Sequence, residues 1–146
     1  MDLYLRAFHG VSDWGWVESK LPDVHQTPDM CGITAIDRDE NNTLGVFLMY
    51  NLTPDSLNVH VIIDDGECHR GGVVEECCDV IFNVLQKKVC YAWISSDNEK
   101  SIRLHKRIGG EELARYPGKL KEGVDKILME LRPENCRYLP KHKEVA

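Results

Sequence analysis

Val89-Cys-Tyr-Ala-Trp-Ile94, Ser95-Ser-Asp97, Asn98-Glu-Lys-Ser101-Ile-Arg-Leu-His105-Lys-Arg-Ile108, Gly109-Gly110 is the stretch that decides how this chain is read. The first six residues are apolar and strand-like, and a polar corner follows. From Asn98 the period changes to that of a helix. On a helical wheel Asn98, Ser101, Leu104, His105 and Ile108 lie within about 120° of one another. Glu99, Lys100, Arg103, Lys106 and Arg107 cover the opposite side, a solvated face. Asn is a favoured helix cap and Gly a favoured terminator, so the helix is bounded from both ends.

Working outward, Leu3–Phe8 reads as a first strand. Val11 to about Leu21 reads as a helix, with Ser12 or Asp13 as its cap and Pro22 near its end. Gly32–Asp37 and Leu44–Tyr50 flank the turn-rich Asp39-Glu-Asn-Asn42, a hairpin signal. Leu57–Ile63 is the next strand. From Val73 to Gln86 the helical period places Val74, Cys77, Cys78, Ile81 and Leu85 on one face, with Glu75, Glu76, Asp79 and Asn83 largely on the other. Beyond the 98–108 helix, Glu111–Tyr116 and Lys126–Leu131 read as strands joined by a linker containing Pro117-Gly118 and Gly123. From Pro133 the chain reads as an irregular tail. The order β-α-β-β-β-α-β-α-β-β alternates only in its second half, which argues against a doubly wound nucleotide fold.

The bulk numbers agree with a folded domain. The 146 residues suit a single domain, here 1–146, and 42% hydrophobic with 29% charged residues is a globular composition. A net charge of −6 argues against tight nonspecific nucleic-acid binding, which draws on clustered Lys and Arg. No run approaches the ~20 apolar residues that span a bilayer, and no secretion signal is visible, so a cytoplasmic location is expected. The cysteines at 31, 68, 77, 78, 90 and 136 then read as reduced and mostly buried thiols. No paired Cys-x-x-Cys or His-x-x-x-His supports a metal site, and Ser95-Ser96 is not framed as a nucleophile elbow.

Strand, polar corner, Asn-x-x-Ser, helix and Gly resemble the second half of a GNAT-superfamily N-acetyltransferase, with the pattern Asn-x-x-Ala/Ser-x-x-x-Tyr-x-x-x-Gly-Phe. Asn98, Ser101 and Gly109 fall in register, while His105 stands at the Tyr position and Gly110 at the Phe position. The resemblance is strongest over about 57–116. It implies an α/β domain with a mixed central sheet of six to seven strands and about four helices. The compact size also resembles acetyltransferase-like proteins that bacteriophages encode.

The same resemblance implies acetyl-CoA as cofactor, held in a gap between the strands at 57–63 and 89–94, and an amine acceptor that attacks the thioester directly. The family's pyrophosphate turn, Arg/Gln-x-x-Gly-x-Gly/Ala, aligns with His69, Gly72 and Val74, and only the central glycine matches strictly. Ile63, Cys68, His69, Arg70, Gly71, Gly72, Val73 and Val74 are the expected cofactor contacts on that side. Asn98 and Ser101 are those on the other. His105 has the chemistry for the acid that protonates the leaving thiolate, since an unperturbed imidazole titrates near neutrality; its plainer role is a hydrogen-bonded core residue. His60 has the chemistry for the general base, with Asp64 and Asp65 as substitutes; its plainer role is a sheet-face residue. Trp14, Trp16 and His25, with the loop at 117–124, lie where the acceptor would bind. A homodimer is compatible with everything above. An alternative in another class is a GNAT fold kept as a binding or structural module for a host or virion protein.

Overall fold

The apolar run Leu44–Met49 is buried throughout, so the strand carrying it is covered on both faces and paired on both edges. In a computed structural model describing residues 2–22, 24–64 and 72–139, seven strands form a mixed sheet in the order β1-β2-β3-β4-β5-β7-β6. The strands are β1 (Leu3–Ala7), β2 (Cys31–Asp37), β3 (Asn42–Tyr50), β4 (Ser56–Ile63), β5 (Val89–Ser95), β6 (Glu111–Lys121) and β7 (Val124–Leu131). Three α-helices are described, α1 (Trp14–Lys20), α2 (Val73–Asp79) and α3 (Glu99–Ile108), where about four were expected. The chain forms two compact units. One is Met1–Leu52 with Asn58–Cys77, and the other is Thr53–Leu57 with Cys78–Ala146.

In the first unit β1 to β4 pair antiparallel in sequence order, with Leu5 opposite Ala35, Ile33 opposite Phe47 and Phe47 opposite Val61. Val17 of α1 is fully buried with Val46, Leu48 and Ile62, and Phe8, Trp14, Trp16, Leu21 and Met30 pack around them. Burying an aliphatic side chain of this size stabilises by about 1.5–3 kcal/mol. Trp14 and Trp16 are thus half-buried margins of a core. The helix begins at Trp14, three residues later than its periodicity predicts. Val11 is 94% exposed and offers no apolar anchor.

Asp13 does occupy the cap position, yet its side chain bonds no helix amide. Its carboxylate receives two hydrogen bonds from the Arg6 guanidinium, at 2.6 and 2.7 Å, one from the His9 N–H at 2.8 Å and one from the Thr34 hydroxyl at 3.0 Å. That network ties β1, β2 and the start of α1 together. Burial alone would raise the Asp13 pKa, but the bonds from Arg6, His9 and Thr34 and the Arg6 charge outweigh it and hold the group below the usual carboxylate range.

α2 keeps the expected face, with Val74, Cys77, Cys78 and Ile81 buried and Glu75 and Glu76 exposed. It does not run as one α-helix to Gln86. Val80–Val84 widens into a π turn, closed by Leu85 N–H donating to the Val80 carbonyl at 2.8 Å, and Gln86 takes φ 54°. An inserted turn of this kind lets the last helical residues change phase before β5.

In the second unit β7 lies between β5 and β6, pairing Ala92 with Met129 and Ile94 with Ile127. Those four residues are buried, as are Cys90, Leu104, His105 and Ile108. β6 runs on to Lys121 through Pro117-Gly118, where a linker was expected, and a register shift between Tyr116 and Lys121 absorbs the irregularity. β7 correspondingly starts at Val124. The expected tail begins instead with a 3-10 turn, Pro133–Asn135, and then the fully buried Cys136. Cys77, Cys78, Cys90 and Cys136 are buried, as expected, Cys31 is half-buried, and Cys68 lies outside the described residues.

Candidate active site

α3 starts where two backbone ties fix the end of β5. Ser96 and Asp125 exchange bonds, Ser96 N–H to the Asp125 carbonyl and Asp125 N–H to Ser96 Oγ, both at 2.8 Å. Asn98 N–H donates to the Ser95 carbonyl at 2.9 Å. The Asn98 side chain then accepts from Ser101 N–H at 3.2 Å, satisfying one of the helix's orphan donors. One turn on, His105 Nδ1 stands 2.8 Å from the Ser101 carbonyl. A carbonyl can only accept, so Nδ1 carries the proton and Nε2 the lone pair. Asn98, Ser101 and His105 are therefore one hydrogen-bonded run along α3.

His105 is 8% exposed, and this burial pushes its pKa below the usual histidine value, against the raising effect of the Ser101 bond. At neutral pH the ring is neutral. Its single N–H is already engaged, so proton donation to a thiolate requires that Nε2 first take up a proton.

The end of α3 explains both glycines. Gly109 N–H donates to the carbonyls of His105 and Lys106, Gly110 N–H to that of His105, and Arg137 N–H to that of Ile108. Gly109 has φ 120°, and a Cβ there would be driven into the carbonyl oxygen of Asn135. Only glycine lets the 133–135 turn close this tightly on the helix end.

In the first unit the expected residues fall on β4 and the turn into α2. His60 is half-buried and opposes Leu48 across the β3–β4 ladder. Its ring lies flat on Tyr50, with centroids 4.5 Å apart and planes 11° from parallel. Ile63 pairs with Gly45, and the neighbouring Asp64 carboxylate meets Lys20 at 3.0 Å. Lys20 also stands 5.5 Å over the Trp16 ring. Cys68, His69, Arg70 and Gly71, together with Asp65, lie outside the described residues.

Val73 and Val74 are buried, so their side chains are core and only their backbones could meet a ligand. Gly72 has φ 78°, and a Cβ there would find nothing closer than Glu75 Oε2 at 4.0 Å. Of the turn expected to hold a pyrophosphate, Gly72 leaves its backbone N–H free of any Cβ, with the Glu75 carboxylate the nearest described side-chain group. Among the described residues no group of three or more His, Cys, Asp or Glu could hold a metal ion. Among them, too, no helix is long and apolar enough to cross a membrane.

Two features had no sequence signal. The Arg6–Asp13–Thr34 network joins residues seven and twenty-one positions apart. The Tyr50–His60 stack depends on the β3–β4 register.

No protein-family model and no curated protein sequence matches the chain. Solved structures do. A mutant spermidine/spermine N-acetyltransferase SpeG from Vibrio cholerae matches with TM-score 0.77 and 15% identity, over 97% of this chain and 100% of that one. The SpeG N152L mutant matches with TM-score 0.76 and 15% identity, over 97% and 98%. The same organism's spermidine N-acetyltransferase in complex with CoA and spermine matches with TM-score 0.72 and 14% identity, over 91% and 96%. At this identity the likeness establishes a shared fold, the GNAT fold that the β5–α3 motif led one to expect.

Proposed function

We propose that this chain is an acetyl-CoA-dependent N-acetyltransferase that acetylates a primary amine by direct attack in a ternary complex. The observation that carries the reading is the hydrogen-bonded Asn98–Ser101–His105 run, in register with the acetyltransferase motif, within a fold shared end to end with spermidine acetyltransferases. Acetyl-CoA, when bound, supplies the activated acetyl thioester. The backbone of the Gly72 turn and of the first turn of α2 receives the pyrophosphate. The Asn98 amide and Ser101 hydroxyl are the groups that would contact the pantetheine.

His60 takes the proton from the acceptor ammonium so that the neutral amine attacks, and Tyr50 holds the imidazole ring plane. His105 anchors the first turn of α3 through Ser101 and gives up a proton only from its minor, protonated form. Spermidine and spermine, which the neighbours' descriptions name, are the first acceptors to try.

Thermal unfolding with acetyl-CoA tests the cofactor half. A ligand that binds only the folded state at 100 times its Kd adds about 2.7 kcal/mol. For a domain of this size that is a rise of several degrees in Tm. The rise is expected to vanish in Gly72→Trp, whose own melting without ligand serves as the folding control. No rise at millimolar acetyl-CoA overturns the proposal and favours the fold as a binding module. Spermidine acetylation, followed by release of the free thiol, tests the acceptor half.

A further inference from the structure

The base role of His60 fixes the side from which an amine must reach the first unit. Alternate residues of a strand share a face, as do residues directly opposed in an antiparallel pair. His60 therefore shares a face with Leu48, Tyr50 and Ile62, the face on which Val17 of α1 is buried. Phe8 extends this floor, its N–H donating to the carbonyl of Gly32, which opposes Leu48. Met30 stands one step beyond the Cys31–Met49 pair, level with Tyr50. It packs with Phe8 and Trp16 against the core that contains Leu48. Phe8, Trp16, Met30, Tyr50 and His60 are all half-buried, so His60 lies on an apolar and aromatic surface that is only partly covered.

The charges of this face, among the described residues, are already answered or solvated. Asp13 holds Arg6 at 2.6 Å, Asp64 holds Lys20 at 3.0 Å and Asp2 holds Arg38 at 2.9 Å. Two acids have no cation in this set, Glu18 and Asp29, and both are exposed. Glu18 accepts from the Trp14 indole at 3.2 Å, and Asp29 accepts from the Thr27 hydroxyl and the Leu52 N–H. Neither sets a buried counter-charge beside His60. A second charge on the acceptor, of either sign, would lose hydration against this surface without a buried partner. A ring would instead gain apolar burial there.

We infer that the acceptor is a monoamine joined by a short linker to an aromatic body, an arylalkylamine, with its amine at His60 and its ring on the apolar surface around Met30. This rests on the acetyltransferase reading above and narrows its acceptor to one chemical class.

Release of free thiol from acetyl-CoA by the full chain, with 2-phenylethylamine, spermidine and phenylalanine in turn, tests this. Phenylalanine keeps the ring and adds a carboxylate; spermidine replaces the ring with further ammonium groups. 2-Phenylethylamine is expected to exceed both in kcat/KM by about tenfold or more, the scale on which apolar pockets discriminate. Met30→Glu sets a carboxylate at the ring's seat and is expected to narrow the preference over spermidine by about tenfold, whereas Met30→Gln keeps 2-phenylethylamine ahead. Melting curves confirm that both variants fold, and the wild-type comparison decides alone should Met30→Glu not fold. Spermidine or phenylalanine matching 2-phenylethylamine overturns the inference and leaves the acetyltransferase reading standing, as does an unchanged preference in folded Met30→Glu. Thiol release with none of the three overturns the inference too, and the acetyl-CoA melting shift then decides whether the acetyltransferase reading falls with it.

Discussion

Replacing Asp13 probes the one buried carboxylate on which three elements of the first unit converge. It is 4% exposed and accepts four hydrogen bonds, two of them from a guanidinium. In Asp13→Ala the Arg6 charge loses its partner at a site where its own side chain is only 20% exposed. The Thr34 hydroxyl, on a fully buried residue, loses its acceptor too. Breaking a buried pair by removing one partner costs about 3–5 kcal/mol. Against a total stability of about 5–15 kcal/mol, that is about a fifth of it or more. Asp13→Asn preserves shape but turns an NH2 towards other donors, so it should recover little.

The assay is urea unfolding at neutral pH, with a lower midpoint at constant slope. Arg6→Met combined with Asp13→Leu should cost clearly less than the two single changes summed, because neither charge is then stranded. pH gives an independent reading. The Asp13 pKa is held below the ordinary carboxylate value of 3.8, so its contribution is complete above that value and is lost as pH falls through the folded-state pKa. A loss below about 1 kcal/mol in Asp13→Ala would place the pair among exposed ion pairs and refute this account.

Two further outcomes follow from α3. Gly109→Ala combines a φ of 120° with a collision at the Asn135 carbonyl, so backbone strain alone should cost about 1–3 kcal/mol. It should lower Tm by several degrees and loosen amide-exchange protection at Arg137, whose N–H bonds Ile108. His105 is buried with a lowered pKa, so below about 6.5 the unfolded chain binds the proton first. Stability should therefore be complete above that pH and fall by up to about 1.4 kcal/mol per unit as pH drops towards the folded-state pKa. His105→Phe should abolish that slope in an unfolding-against-pH series; an unchanged slope shows that another group carries it. If His105 also donates the proton to the leaving thiolate, acetylation should slow as pH rises through the same depressed pKa, whereas a pH-independent rate there leaves it an anchoring role.

What was legible in the sequence is what local spacing encodes. The Asn98 cap, the Ser101–His105 contact and the Gly109 stop all act within one or two helical turns, so a wheel and a motif place them. The strands of the meander were legible because short apolar runs flanking a turn-rich loop suffice. Where turn chemistry and pairing disagree, pairing wins: Pro117-Gly118 reads as a linker, yet β6 carries through it because β7 pairs with both its flanks. Asp13 shows the opposite failure. Among 24 acidic residues nothing local marks this one for burial, because its partners come from two strands and a preceding loop. It reads as a cap and serves as a bolt. The same logic divides the candidate site. Its α3 half is written in i, i+3 and i, i+4 steps and can be read directly. His60 acquires its surroundings only once β3 is in register, and the Tyr50 stack that orients it is invisible until then. An acceptor pocket built from such cross-strand neighbours is therefore the part of an enzyme of this fold that a single sequence encodes least openly, and the acceptor screen, rather than further reading of motifs, is what will identify the amine.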